Sequence, residues 1–157
     1  MAKRFVDTAR FFDPWYRSLP PTLKVFWEFI ISSCDLAGAW KKDYDLAKFI
    51  LGEGAPELDP ADALLKLNAG KERIIEFGDY WFVVDFIPFQ YGTLSADCRP
   101  HRAVVTCLEA HVNRGLPKKY VKAAKLNEMD ERGVKRWNPP PGGFKRLMKK
   151  IDKGAAR

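Results

Sequence analysis

Residues 74–92, IIEFGDYWFVVDFIPFQYG, carry seven aromatic rings in nineteen positions. Whether those rings fill a core or are offered to a ligand decides how the chain is built. Gly78-Asp79 is a two-residue turn between two runs rich in β-branched and aromatic residues, 73–77 and 80–86, which is the signature of a β-hairpin. A two-residue loop sets the register: Phe77 faces Tyr80, Glu76 faces Trp81, Ile75 faces Phe82 and Ile74 faces Val83. Ile75, Phe77, Tyr80 and Phe82 then share one face. The expectation is one core face and one half-exposed face, with most rings packed against helices and Trp81 the ring most open to a ligand, since base stacking needs exposed rings.

Helices precede the hairpin. After Pro20-Pro21-Thr22, the residues Leu23, Phe26, Trp27, Ile30, Ile31 and Cys34 recur at i, i+3, i+4, i+7, i+8 and i+11, an amphipathic stripe. Asp35-Leu36-Ala37-Gly38 ends that helix, and residues 39–42 form a short extended piece. Asp43 caps a second helix, 44–51, closed by Gly52, with Leu46, Phe49 and Ile50 predicted to point inward. Asp59 as N-cap, Pro60 at the first helical position and Asp62 in the first turn start a third helix, running to about Asn68 and stopped by Gly70. Leu64 and Leu67 are its expected core contacts, while Lys66, Asn68 and Lys71 face water or a ligand. Helix, short strand, helix, helix, hairpin is the order of an α+β winged helix-turn-helix, three helices plus a β-hairpin wing, in which the third helix commonly enters the DNA major groove.

Past the hairpin, residues 100–112 read as a further helix with Val104, Val105, Leu108 and Val112 inward. Cys98, His101, Cys107 and His111 form a string resembling zinc ligands, but at 100° per residue one continuous helix cannot converge all four on a tetrahedral ion, so no metal site is expected. His101 reads as a packing or capping residue. Residues 117–126 suit a short basic helix. The sequence Asn138-Pro-Pro-Pro-Gly-Gly143 is a stiff segment followed by a hinge. Beyond it, Phe144, Leu147, Met148 and Ile151 recur at i, i+3, i+4 and i+7 in a basic arm that is too short to be a stable helix alone. The organisation predicted is an N-terminal arm (1–14), a winged-helix domain with its following helix (15–116), a basic helical extension (117–137), and a Pro/Gly linker with a basic amphipathic arm (138–157).

Charge divides the chain unequally. Residues 1–97 hold 11 Lys+Arg against 15 Asp+Glu, net −4; residues 98–157 hold 16 against 5, net +11. A basic block beside an acidic body suits attraction to a polyanion, nucleic acid first. No apolar run approaches the eighteen or so residues that span a bilayer, and three cysteines without framework spacing suit reduced thiols, so a cytoplasmic protein without a membrane span is expected. Phosphate-binding loops, dinucleotide fingerprints, H-E-x-x-H and nucleophile elbows are all missing from the sequence. The acids of 43–45 and 57–62 are accounted for by helix starts. Neither enzymatic activity nor a cofactor is expected.

Three stretches also carry a family resemblance: PWYRSLPPTLKVFWEFIISSCDLAGAWKKDYDLAKFILG (14–52), ERIIEFGDYWFVVDFIPFQYG (72–92) and CRPHRAVVTCLEAHV (98–112). Within them the matching features are Phe26-Trp27, Cys34-Asp35, Gly38 and Trp40, Asp43 and Leu46, a strand end at Asp85-Phe86-Ile87, Gln90-Tyr91-Gly92, and Pro100-His101. Over about residues 13–116 the chain resembles the N-terminal part of bacteriophage replication proteins, the replisome-organiser or replication-initiator type that includes relatives of DnaD-like helicase loaders. The resemblance implies a winged-helix domain that binds DNA in phage or prophage replication, with host replication proteins such as a helicase or its loader as partners and homo-oligomers as an assembly state. Relatives usually continue into a further C-terminal domain, where this chain has a basic tail. The expected DNA contacts are Lys66, Asn68, Lys71, Arg73 and Trp81 on the third helix and wing, Arg99 and Arg102 on the following helix, Lys118, Lys119, Lys122 and Lys125 on the extension, and Lys145, Arg146, Lys149 and Lys150 on the arm. With two acids and one lysine, the third helix lacks the Arg and Gln that read base edges. The other readings are a protein-interaction adaptor for a host replication or transcription factor and a phage transcriptional regulator.

Overall fold

A computed structural model describes residues 6–52, 58–95, 98–118 and 120. Among them the fold is α+β, with six α-helices and one three-stranded antiparallel sheet. The chain divides into two compact units, which part at Phe86; the sequence predicts a single domain over 15–116.

In the first unit a 3-10 turn, Thr8–Phe12, leads into α1 (Pro14–Ser18) and α2 (Pro21–Ser33). Next come β1 (Ala39–Lys41), α3 (Tyr44–Leu51), α4 (Pro60–Leu67), β2 (Ile74–Phe77) and β3 (Tyr80–Val83). Three of the four α-helix starts in this unit are set by a short-range bond, while α2 begins at Pro21 without a side-chain cap. Asp13, Asp43 and Asp59 accept from the backbone N–H of Trp15, Leu46 and Ala61 at 2.8–2.9 Å, satisfying donors that have no partner inside the helix.

The hairpin has the register expected from its turn, Phe77 opposite Tyr80 and Ile74 opposite Val83. The short piece at 39–41 joins it as an edge strand, giving the order β1-β3-β2 with Trp40 opposite Trp81. That central position explains the main departure from expectation. Trp81 is 1% exposed, held edge-on between Trp40 (5.7 Å between centroids) and Tyr44 (6.0 Å) and against Phe26 (5.8 Å). Far from being the open ring of the wing, it is the middle of the core. The opposite sheet face, with Ile75, Phe77 and Phe82, is buried too.

The face of α3 is also reversed. Ala47 is its buried residue, whereas Leu46, Phe49 and Ile50 are 45%, 79% and 47% exposed. Apolar residues run nearly all round this short helix, so periodicity alone does not fix its rotation. Tyr44 does, because its ring sits against Trp40 and Trp81 and turns the small Ala47 side toward α2.

A third difference lies after β3. The strand stops at Val83, and Phe86–Tyr91 is helix α5 rather than a strand end at 85–87. Pro88 lacks the N–H that a ladder needs but is tolerated in a first helical turn. Gly38, with φ +88°, approaches so closely that a Cβ there would lie 2.6 Å from the Phe86 Cβ.

In the second unit, α5 ends with the Gly92 N–H donating to the Pro88 carbonyl at 3.0 Å. Helix α6 (Arg99–Asn113) buries Val104, Val105, Leu108 and His111. His101 Nδ1 accepts from the Ser95 N–H at 2.8 Å, and Tyr91 packs edge-on against its ring at 5.8 Å. Cys98 is the N-cap residue of α6, and Cys107 Sγ lies 3.8 Å from His111 Nε2 one turn along. The basic helix expected from 117, apart from Pro117, Lys118 and Tyr120, and the whole of the linker and arm lie outside the described residues. No helix among the described residues is long and apolar enough to cross a membrane.

Gly38→Ala combines a left-handed backbone with a clash against Phe86. It should lower unfolding stability by at least about 2 kcal/mol in urea titration, whereas an unchanged midpoint would show that the close approach carries no strain.

Candidate functional site

The expected DNA surface begins where α4 meets the hairpin, and its cations are occupied to different degrees. Lys66 pairs with Asp62 one turn back, and Lys71 with Asp85, at 2.7 and 2.6 Å. Both pairs are about half exposed, so each contributes little to stability and yields readily to a competing anion. Asn68 is different. Its Oδ1 accepts from the N–H groups of Arg73 and Ile74 at 2.8 Å, and its Nδ2 donates to the Ile74 carbonyl at 2.9 Å. The side chain joins the end of α4 to the start of β2, a bridging role that a helix-end asparagine does not announce in sequence.

Arg73 is equally committed. Its guanidinium lies 3.8 Å from the Trp15 ring centroid and donates to the carbonyls of Ala69 and Lys71 at 3.0 and 3.2 Å. These carbonyls belong to the turn between the end of α4 and β2. Burial lowers its pKa from the usual guanidinium value, and the nearby charges of Asp13 and Asp85 oppose that shift. With Trp81 inside the core, the hairpin presents no free ring at that position for stacking.

What α4 and the sheet do build is a groove of about 520 Å³, whose walls include Tyr44, Pro60, Leu64, Leu65, Glu76 and Trp81. Its volume lies in the range of about 300–1,000 Å³ typical of ligand clefts. Leu65 is 74% exposed at its edge. One acid lines it, Glu76, which Lys42 meets at 2.7 Å. Sequence periodicity missed this surface because Leu65 follows Leu64 in an otherwise regular stripe, and only the packing shows which one is left out.

Tyr44 in the groove wall is pushed up to about 12, first by burial and then by the negative charge of Glu76. The neutral phenol is therefore the favoured native form. Against an ordinary value of 10, its contribution to stability is complete below about pH 10 and is lost as pH rises through about 12.

On the second unit, Arg99 and Arg102 are exposed three residues apart on α6, and Lys118 is half-buried. The remaining expected contacts, Lys119, Lys122, Lys125, Lys145, Arg146, Lys149 and Lys150, lie outside the described residues. Comparison with protein-family models, curated proteins and solved structures finds no match.

Two outcomes check this geometry. Asn68→Ala leaves two backbone N–H groups without their acceptor and should cost about 2 kcal/mol by chemical denaturation; a loss near zero would make the bridge ornamental. In a 295 nm alkaline titration, one phenol should ionise last, be missing in Tyr44→Phe, and shift to lower pH in Glu76→Gln; no shift in Glu76→Gln would remove Glu76 as a cause.

Proposed function

We propose that this chain is a non-enzymatic DNA-binding protein of winged-helix type, in which affinity comes from the basic C-terminal third rather than from base reading by α4. The observation that carries this reading is the separation of charge, net −4 over residues 1–97 and net +11 over 98–157. Sixteen cations in sixty residues attract a polyanion irrespective of its sequence, because phosphate contact releases condensed counterions. Arg99 and Arg102 are exposed and add to it. On the first unit, Arg73 and Asn68 are used by the fold, Trp81 is enclosed, and Lys66 and Lys71 remain as exchangeable phosphate contacts.

The order of α2, β1, α3, α4 and the β2–β3 hairpin supports the winged-helix assignment. A role in initiating or controlling phage DNA replication rests on the resemblance of residues 13–116 alone. The apolar groove and the exposed Leu46, Phe49 and Ile50 favour a second reading, an adaptor that docks a protein partner through the first unit.

Fluorescence anisotropy of labelled duplex and single-stranded DNA against the full chain, at several salt concentrations, separates the two. DNA binding predicts a log–log salt slope of about 0.9 per phosphate contacted. Changing Lys145, Arg146, Lys149 and Lys150 together to Gln should flatten the slope by about three to four, and Arg99→Gln with Arg102→Gln by up to about two. Failure of the full chain to bind either DNA at low salt would sink the reading and leave the adaptor.

A further inference from the structure

We propose that the 3-10 turn Thr8–Phe12, with its rings Phe11 and Phe12, is a stacking platform for the unpaired bases of single-stranded DNA. Stacking needs rings that a base can reach. The hairpin encloses Trp81, but Phe11 is 54% exposed and Phe12 81%, the most open large apolar side chain among the described residues. Charge separates these two rings from the other open apolar surface of the first unit. Residues 1–24 hold five Lys+Arg against two Asp, net +3, whereas residues 25–86 hold six against twelve Asp+Glu, net −6. Phe49 on α3 and Leu65 on α4 are nearly as open, but they lie in the second stretch, which repels a polyanion.

The geometry gathers cations beside the rings. Phe11 packs edge-on against the buried ring of Tyr16, with 5.8 Å between centroids, and the Lys24 ammonium lies 5.9 Å from the centre of that same ring. Lys24 Nζ also donates to the carbonyl of Arg17, itself an exposed residue, at 3.1 Å. The acids nearby are engaged within the fold. Asp7 and Asp13 accept from the backbone N–H groups of Ala9 and Trp15, and Glu28 accepts from the Tyr16 hydroxyl and pairs with Arg10 at 2.7 Å. Arg10 is thereby neutralised, which leaves Arg17 and Lys24 to meet phosphates. The segment is held in place by Trp15, which packs on Trp27 and carries the Arg73 guanidinium on its face, so a base meets a preset surface rather than a loose arm. A single strand can lay bases on Phe11 and Phe12; a duplex keeps its bases stacked inside.

The inference rests on the DNA-binding reading and adds a strand preference to it. The basic C-terminal third attracts either form of DNA, and the rings favour the single strand. In the experiment the full chain is cross-linked by ultraviolet light to a bromodeoxyuridine-substituted oligothymidylate of about twelve nucleotides, and the products are mapped by mass spectrometry. Anisotropy titrations of the same strand and of a duplex accompany it. Cross-links are expected at Phe11 or Phe12. Phe12→Leu, and separately Phe11→Leu, should weaken single-strand binding about tenfold at every salt concentration, with the salt slope and the duplex affinity unchanged. Leucine keeps the apolar character and removes the flat face, and at so exposed a position as Phe12 the urea midpoint should not move. Arg17→Gln with Lys24→Gln should instead flatten the single-strand slope by up to about 1.4. Cross-links confined to other residues, or leucine variants that bind the single strand as well as the parent or lose duplex equally, would overturn the proposal while DNA binding itself stood. Failure of the full chain to bind either form would remove the DNA reading and this inference together.

Discussion

The cross-strand pair of Trp40 and Trp81 organises the first unit. Two large rings opposite one another on adjacent antiparallel strands bury more apolar surface than any other pairing in this sheet could, and their edges supply oriented contacts for Phe26 and Tyr44. From that cluster follow the seating of α2, the rotation of α3 and the inclusion of β1 in the sheet. A three-stranded sheet of three or four residues per strand has little stability of its own. Here it is held by side chains that belong as much to the helices as to the strands.

Much of this was legible in the sequence, and the limits have physical causes. The Gly78-Asp79 turn fixed the hairpin register because a two-residue loop leaves no alternative pairing. Asp43 and Asp59 announced helix starts because capping is a local bond. Rotation about a helix axis is not local. In α3 and at Leu64-Leu65 the apolar stripe is wider than the buried strip, so the choice of inward face depends on distant partners, Trp40 and Trp81 for α3. Trp81 was misjudged for the same reason: a residue opposite Glu76 looks half-exposed in an isolated hairpin, and only the third strand and two helices enclose it. For the candidate site, the charge asymmetry was legible and the groove was not, since a concavity is a property of several elements together.

A division of labour emerges between the two ends of the chain. The first unit spends its prominent polar residues on its own architecture: Asn68 on the junction of helix and strand, Arg73 on the helix end and the N-terminal segment, Tyr16 on a hydrogen bond to Glu28. What it shows outward on α3 and α4 is a mixture of apolar side chains, Leu46, Phe49, Ile50 and Leu65, with charges of both signs, Asp45, Lys48, Asp62 and Lys66. The cations are concentrated later in the sequence, net +11 over residues 98–157 against −4 over 1–97.

Arg73 has a further consequence. By stacking on Trp15 while holding the carbonyls that follow α4, it joins the first described turns of the chain to the base of the hairpin, some sixty residues away in sequence. Trp15 packs in turn on Trp27 of α2, and Arg10 is ion-paired with Glu28. Residues 8–19 are therefore tied by side-chain contacts to α2 and to the base of the hairpin, so the amides of this segment are expected to share their protection from solvent exchange with the start of β2.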